Sequence, residues 1–192
     1  MKAFGEVEKV GTLLRDLNCE WYVCGGWALD LFLGRVTRSH KDVDIAVARR
    51  DQSSVQRYLL RRGWELEKAS EGRLSPWAEG EELGLPLHAV WCRNRAHDPV
   101  FFELLLNEVD GELFRFRRDL SVTLPRPRVS FESAAGLRVL APEVVLLYKS
   151  NSAEEGGADF HHAAPALSRE ARAWLKGALE KVSPGHPWAR EL

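Results

Sequence analysis

The sequence of 192 residues lacks several features that would assign it to a familiar class of protein. Its three cysteines, Cys19, Cys24 and Cys92, are scattered, odd in number and without a C-x-x-C pair, so we expect free thiols in a reducing cytoplasm. No apolar run approaches the ~20 residues that a membrane helix needs. The N-terminal residues are too acidic and interrupted for a signal peptide. The expected location is therefore the cytoplasm.

An excess of charge of one sign is also missing. Lys and Arg number 27 and Asp and Glu 28, which gives a formal net charge of -1. Without a basic field, we expect no bulk binding to nucleic acid. No G-x-x-x-x-G-K-[ST] loop occurs, which excludes the P-loop class. The hydrophobic fraction of 45% is typical of a globular protein with a real core.

Hydrophobic periodicity predicts an α/β (α+β) protein that ends in helices. Helices are expected over 3–18 and 27–33 and again after Asp51, which is expected to cap the third. Strands are expected over 21–24, 42–48, 64–68, 87–92 and 100–106, with short ones at 113–116 and 122–124, while 70–85 is expected to be irregular. Helices follow over 143–150, from Asp159 onward and over 168–182. We therefore expect an α/β domain over 1–139 and a small helical lobe over 140–192.

Two carboxylates stand at the start of the second predicted strand. Because side chains alternate along a strand, Asp42 and Asp44 point to the same side. Neighbouring carboxylates repel each other unless a cation lies between them, and Mg²⁺ prefers oxygen ligands of this kind. The pair therefore predicts a site for a divalent cation.

A third carboxylate, Glu103, lies within the apolar run Phe101 to Leu106. A charge in such a run seldom lacks a partner. Phosphoryl transfer by two divalent ions commonly uses a further carboxylate from a neighbouring strand. Glu103 is therefore the candidate third ligand.

The pair Gly25-Gly26 opens the helix before the two aspartates. Without side chains, this turn lets the backbone approach a phosphate closely, and the helix presents free N–H groups and the positive end of its dipole. The pair therefore predicts a phosphate contact.

The segment from Gly25 to Asp44, GGWALDLFLGRVTRSHKDVD, resembles the nucleotidyltransferase superfamily that shares the DNA polymerase β catalytic fold. It resembles more narrowly the aminoglycoside-2''-adenylyltransferase type. The blocks FELLLNE at 102–108 and APEVVLLYK at 141–149 are similar to the same type. The resemblance implies a mixed sheet flanked by helices, followed by a small C-terminal helical lobe.

The resemblance implies a chemical activity, the transfer of a nucleoside monophosphate from a Mg²⁺-bound nucleotide such as ATP to a hydroxyl. AMP is the first choice for the group transferred. Pyrophosphate is released. Asp42 and Asp44 match the metal-binding pair of a site for two ions. Glu103 matches the third acidic position, which helps to hold one metal and can accept the proton of the hydroxyl. Many relatives carry Asp there, so Glu103 is a departure. Gly25 and Gly26 match the turn that contacts the phosphates.

Three basic residues are candidates for further nucleotide contacts. Lys149 matches a basic residue of the helical lobe that reaches the triphosphate, with a solvated helix-end charge as the alternative. Arg38 and His40 flank the aspartate pair and either contact the nucleotide or make structural hydrogen bonds. Asp159 is expected to cap a helix, to pair with Lys149 or to meet a cationic substrate.

Two side chains have simpler expectations. Asp30 is expected on the surface of its helix. Trp77 is expected to line a cleft, with a packed loop anchor as the alternative.

The expected partners are a nucleoside triphosphate and a small hydroxylated acceptor, for which an aminoglycoside is one candidate. Acidic clusters at Glu79, Glu81 and Glu82 and at Glu154, Glu155 and Asp159 would suit a cationic acceptor. Two alternatives stay open. One is an enzyme of the same fold that modifies a protein or tRNA, as antitoxin-like relatives do, and the other is a nucleotide-binding module without catalysis. The sequence carries no prediction of the oligomeric state.

Overall fold

The computed structural model describes residues 3–151 and 153–192. The described strands are β1 (Trp21–Cys24), β2 (Asp44–Ala48), β3 (Glu65–Ser70), β4 (Arg73–Pro76), β5 (Ala89–Arg93), β6 (Phe101–Asp110), β7 (Leu113–Arg115), β8 (Thr123–Pro125), β9 (Ser130–Glu132) and β10 (Arg138–Leu140). The described helices are α1 (Gly5–Leu13), α2 (Gly25–Leu33), α3 (Gln52–Leu60), α4 (Pro142–Lys149), α5 (Ala153–Ala163), α6 (Arg169–Val182) and α7 (Trp188–Glu191).

The strands form one mixed sheet in the order β4-β3-β5-β6-β2-β1-β10-β9, and β7 and β8 extend it from the distal part of β6. Two pairs are parallel, β2 with β6 and β1 with β10. The other pairs are antiparallel. The α/β fold class predicted from the sequence, with a mixed sheet and helices at its C-terminal end, is confirmed.

Strands β2 and β6 lie at the centre of the sheet and carry the apolar core on one face. Ile45 pairs with Leu104 and Val47 with Leu106, and all four side chains are buried. Because alternate residues face opposite ways, Asp44 and Glu103 share the other face. The alternation of side chains along these strands therefore places the apolar core and the candidate site on opposite faces of the sheet.

The C-terminal helices α4 and α5 pack against α2. Helix α4 begins with Pro142, whose fixed φ suits the first turn, and α4 packs against α2, α5 and α6. The division into domains at residue 139 stays a prediction. In the described part of the chain, no helix combines the length and the apolar character needed to cross a bilayer.

Several predicted elements differ in detail. The predicted helix over 3–18 is only α1, although Leu14 and Leu17 beyond it are still buried. The second strand begins at Asp44 rather than Asp42, because pairing with β6 starts there. Asp51 makes no side-chain cap, since a 3₁₀ turn over Arg49–Asp51 leads into α3.

Three short strands were missing from the sequence prediction. Strand β4 lies in the region expected to be irregular and pairs with β3. Strands β9 and β10 have three residues each and pair with each other. Runs this short carry little periodicity of their own, so tertiary pairing defines them.

Candidate active site

Three carboxylates predicted from the sequence lie together at one end of β2 and β6. Oxygen atoms of Asp42, Asp44 and Glu103 all lie within 4.8 Å of one another. Asp44 stands directly opposite Glu103 in the parallel pair. Asp42 lies in the bend before β2, where the carbonyl oxygen of Val43 accepts a 2.9 Å hydrogen bond from Glu103 N. The backbone pairing of the strands therefore fixes the cluster.

The electrostatics of this acidic cluster favour a cation. Burial raises the pKa of Asp44, and the negative charge of Asp42 raises it further. Burial also raises the pKa of Glu103, with Asp44 and Asp42 adding to the effect. Burial and the charge of Asp42 thus both disfavour the ionised forms of Asp44 and Glu103. Three oxygen ligands that repel one another fit a hard divalent cation such as Mg²⁺.

Gly25 allows the acidic cluster to lie against the N-terminus of α2. Its φ is +64°, and a Cβ placed there would lie 1.8 Å from Asp44 Oδ2. This position therefore requires glycine for two reasons, its backbone conformation and the close approach of a carboxylate.

Gly26 gives room to two other side chains. A Cβ at Gly26 would lie 2.4 Å from His40 Nδ1 and 2.8 Å from Arg38 Nη2. The glycine pair thus lets functional side chains approach the helix backbone, a use that the sequence did not reveal. Its contact with phosphate stays a prediction.

Asp30 is fully buried, so the prediction of a surface position was wrong. Its Oδ2 lies 2.6 Å from His40 Nε2, and its Oδ1 accepts hydrogen bonds from Thr37 N at 3.0 Å and Thr37 Oγ1 at 2.6 Å. The His40 ring also packs on Trp27, with centroids 4.5 Å apart. The geometry favours the structural alternative for His40, in which Asp30 and His40 hold the segment between α2 and β2.

Arg38 and Lys149 converge on one carboxylate from different parts of the chain. Arg38 Nε and Nη2 donate to Asp159 Oδ1 and Oδ2 at 2.9 and 3.0 Å. Lys149 Nζ lies 2.7 Å from Asp159 Oδ2. Asp159 lies inside α5 and is not a helix cap, so the pairing with Lys149 is the alternative that holds. Burial alone would raise the pKa of Asp159, but the hydrogen bonds from Arg38 and Lys149 lower it overall.

These two cations face the acidic cluster as well as Asp159. Burial raises the pKa of Asp44, and the positive charges of Lys149 and Arg38 offset part of that rise. They therefore lie near enough to act on a polyanion held beside the carboxylates.

Trp77 does not line the cleft, and a different tryptophan, Trp91, lies opposite Glu103. Trp77 is buried, and its Nε1 donates to the carbonyl oxygen of Glu81 at 2.8 Å, so it is the packed loop anchor rather than a cleft wall. Trp91 was not singled out from the sequence. It stands opposite Glu103 in the pair β5–β6, and it opposes the rise in the pKa of Glu103 that burial causes.

The predicted acidic clusters are not both available to a cationic ligand. Glu81 forms an ion pair with Lys68 and accepts a hydrogen bond from Ala78 N. Asp159 is occupied by Arg38 and Lys149. The side chains of Glu154 and Glu155 lie outside the described part of the structure.

Comparison with known proteins agrees with the resemblance predicted from the sequence. A family model described as aminoglycoside-2''-adenylyltransferase matches residues 6–90. Two curated proteins named 2''-aminoglycoside nucleotidyltransferase, from Escherichia coli and Klebsiella pneumoniae, are each 28% identical over 93 residues, which are 48% of this chain and 51% of each relative. The chain therefore spans about half the length of the curated relatives it matches. The family match includes Gly25, Gly26, Asp42 and Asp44.

Solved structures extend the likeness over the whole chain at the level of fold. The crystal structure of ANT(2'')-Ia in complex with adenylyl-2''-tobramycin has a TM-score of 0.62 and 16% identity, and covers 95% of this chain and 100% of that chain. The lincomycin-bound structure of the lincosamide antibiotic adenylyltransferase LnuA has a TM-score of 0.51 and 13% identity, covering 93% and 97%. The chain thus has the fold of these nucleotidyltransferases.

Proposed function

We propose that this chain, which has the nucleotidyltransferase fold and matches the aminoglycoside-2''-adenylyltransferase family model over residues 6–90, is a nucleotidyltransferase that uses a divalent metal. It moves a nucleoside monophosphate, AMP as the first choice, from a nucleoside triphosphate to a hydroxyl of a small acceptor such as an aminoglycoside. The observation that carries the proposal is the cluster of Asp42, Asp44 and Glu103, with ligand atoms within 4.8 Å, beside the N-terminus of α2.

Asp42, Asp44 and Glu103 are the residues that would hold Mg²⁺. Burial raises the pKa of Asp44 and Glu103, and the charges of neighbouring carboxylates raise it further, a cost that a bound cation would offset. When bound, divalent ions neutralise the phosphates and help to place the attacking and leaving oxygens in line.

Glu103 is also placed to accept the proton of the attacking hydroxyl. In the proposed reaction the hydroxyl oxygen bonds to the α-phosphorus, and the bond from that phosphorus to the oxygen bridging to the β-phosphate breaks. Pyrophosphate leaves with the electron pair of that bond, and the proton passes to the Glu103 carboxylate. Trp91 stands opposite this residue in the pair β5–β6, and a carboxylate within reach of the attacking hydroxyl can accept its proton.

Cationic and backbone donors would receive the triphosphate. Arg38 and Lys149 supply two positive charges that already act on Asp44. Gly25 and Gly26 begin α2, whose first N–H groups have no partner within the helix. These groups bind and orient the nucleotide, and they offset the charge of the leaving pyrophosphate.

The test is acceptor-dependent release of pyrophosphate. The purified protein is incubated with Mg²⁺, ATP or GTP, and a panel of aminoglycosides, with lincomycin included because LnuA shares the fold. Mass spectrometry of the acceptor then identifies the group transferred. We expect Asp44→Asn and Glu103→Gln each to lower the rate by about 100-fold or more, which corresponds to roughly 3 kcal/mol of lost transition-state stabilisation.

Asp110→Asn is the matched control, because Asp110 is a carboxylate on the same strand as Glu103 that pairs with Arg115 instead. It should keep the wild-type rate. Pyrophosphate release that persists in the double variant Asp42→Asn, Asp44→Asn would refute this site. Labelling of a protein or tRNA, with no modified small molecule, would favour the macromolecular acceptor instead.

A further inference from the structure

A cavity of about 140 Å³ lies between β6 and α4, beside the acidic cluster. Strand β6 contributes Leu105 and Asn107, and α4 contributes Tyr148 and Lys149. Gly25, which touches Asp44, also lines it. A ligand that reaches from the carboxylates past Lys149 would therefore place its next part in this cavity.

The cavity has a positive and apolar lining. Among the described lining residues, Arg117 and Lys149 are the charged ones, and no carboxylate is present. Leu105, Leu140 and Val145 supply apolar walls. This environment disfavours a cationic acceptor and suits a flat group that carries hydrogen-bond acceptors.

Most polar side chains of the lining are already paired. Tyr148 Oη donates to Asn107 Oδ1 at 3.1 Å, and Asn107 Nδ2 donates to the carbonyl oxygen of Leu105 at 3.0 Å. Lys149 is held by Asp159 at 2.7 Å. These groups build the wall of the cavity. The donors of Tyr148 and Asn107 are already engaged, whereas Lys149 keeps N–H donors beyond its contact with Asp159.

Arg117 differs from them. Its guanidinium is half-buried and lies over the Tyr148 ring, with Cζ 4.9 Å from the centroid. Among the side chains that the structure describes, which leave out those of residues 152–155, this guanidinium has neither a hydrogen bond nor an ion pair. A guanidinium carries five N–H donors in a rigid fork and no acceptor. Arg117 is therefore a positioned donor without an acceptor.

Resting on the proposed function, we infer that this cavity holds the nucleobase of the nucleoside triphosphate and that Arg117 donates to acceptor atoms on the edge of the base. A cavity of about 150 Å³ accommodates benzene, so this cavity of about 140 Å³ admits one ring of a base. Purines present N7 as an acceptor and guanine adds O6, and unpaired pyrimidine bases also carry carbonyl acceptors. Arg117 thus contacts the base rather than the phosphates.

The first measurement is equilibrium binding of ATP, GTP, CTP and inorganic tripolyphosphate to the full chain in the presence of Mg²⁺, by calorimetry. The variant is Arg117→Met, which keeps the length of the side chain and removes the donors, with Arg117→Ala as a second variant. We expect both to weaken ATP and GTP binding about tenfold or more, as loss of a charged hydrogen bond does. CTP binding should weaken similarly, and tripolyphosphate binding should stay within about twofold.

Arg118→Ala is the control. Arg118 also lies over the Tyr148 ring, at 5.5 Å, but its Nη1 donates to the carbonyl oxygen of Tyr148 and it does not line the cavity. This substitution removes a positive charge from the same Tyr148 ring and should leave nucleotide binding unchanged. Circular dichroism confirms that each variant is folded.

Two outcomes would overturn the inference and leave the proposed function standing. Equal weakening of nucleotides and tripolyphosphate would place Arg117 on the phosphates, and unchanged nucleotide binding would remove it from the nucleotide site. A wild-type chain that binds no nucleotide at all would overturn the proposed function and this inference together.

Discussion

The carboxylate of Asp30 lies 2.6 Å from the imidazole of His40, and both side chains are almost completely buried, with exposed fractions of 1% and 4%. The contact joins the middle of α2 to the segment that carries Arg38 and Asp42. With its two hydrogen bonds from Thr37, Asp30 anchors this segment beside the glycine pair. Asp30 is therefore a positioning residue for groups that the proposed chemistry uses.

Replacing Asp30 by Ala should lower both stability and activity. The buried imidazole of His40 and the partly buried donors of Thr37 would lose their acceptor, at a cost of about 1–3 kcal/mol in the free energy of unfolding. Urea unfolding gives that energy, and the ratio of kcat to KM should fall because Arg38 and Asp42 lose their position.

Asp119→Ala is the control for this change, since Asp119 accepts equivalent bonds from the backbone and hydroxyl of Ser121 in an exposed turn. Its urea midpoint should match that of the wild type. An Asp30→Ala variant of wild-type stability and activity would contradict the role assigned to Asp30.

The sequence predicted the acidic cluster because two local rules sufficed. The period of two placed Asp42 near Asp44, and a charge in an apolar run marked Glu103. The same second rule applies to Asp30, which follows Trp27, Ala28 and Leu29, and it predicts the buried position that the structure shows instead of the expected surface position.

Other parts of the site depend on contacts that no local pattern contains. Asp159 meets Arg38 only because α5 packs on α2. Trp91 faces Glu103, and Trp77 does not, because of the strand register. Arg117 becomes significant only when α4 and β6 enclose the cavity. Each of these is set by tertiary structure, so a single sequence does not predict it.

Replacing Asp159 by Asn should weaken nucleotide binding and remove a part of the stability that depends on pH. The folded pKa of Asp159 is lowered, so its ionised form stabilises the fold at all pH values above its unfolded pKa of about 3.9. This contribution is lost as pH falls through the lower folded pKa. Urea unfolding should show wild type more stable than Asp159→Asn by about 1–3 kcal/mol at pH 7, with the gap closing below about pH 4.

The same variant should raise the KM for the nucleotide more than it changes kcat, because Arg38 and Lys149 lose the carboxylate that orients them. Asp110→Asn removes an exposed carboxylate that pairs with Arg115 and provides the comparison. A stability gap that is the same at pH 7 and pH 3 would show that the charge of Asp159 is not what stabilises the fold.

Gly25→Ala and Gly34→Ala form a matched pair. Both glycines have positive φ, +64° and +67°, but a Cβ at Gly34 meets nothing within 4 Å, whereas one at Gly25 meets Asp44 Oδ2 at 1.8 Å. Both variants should lose about 1–2 kcal/mol through backbone strain. Only Gly25→Ala should also displace Asp44 and so weaken Mn²⁺ binding, as measured by electron paramagnetic resonance. Equal Mn²⁺ affinities for the two variants would show that the approach of Gly25 to Asp44 has no part in the site.

Divalent cations should stabilise the protein more as pH rises. Burial and neighbouring carboxylates raise the pKa of Asp44 to about 6 and that of Glu103 to about 7, above the unfolded values of about 3.9 and 4.3. Without metal, the contribution of these groups to stability is therefore full below about pH 4 and is lost as pH rises through about 7. Mg²⁺ or Mn²⁺ binds the ionised carboxylates, so it restores stability where that loss is greatest.

Thermal unfolding with EDTA and with saturating Mn²⁺, at pH 5 and pH 8, measures this effect. A ligand at 100 times its Kd stabilises the folded state by about 2.7 kcal/mol, so a clear rise in Tm is expected at pH 8 and a smaller one at pH 5. The double variant Asp44→Asn, Glu103→Gln should show no metal-dependent rise and no loss of stability from these two groups between the two pH values. A rise in Tm of equal size at both pH values would mean that the cation binds elsewhere, because ligands that must first lose a proton cannot give a response independent of pH.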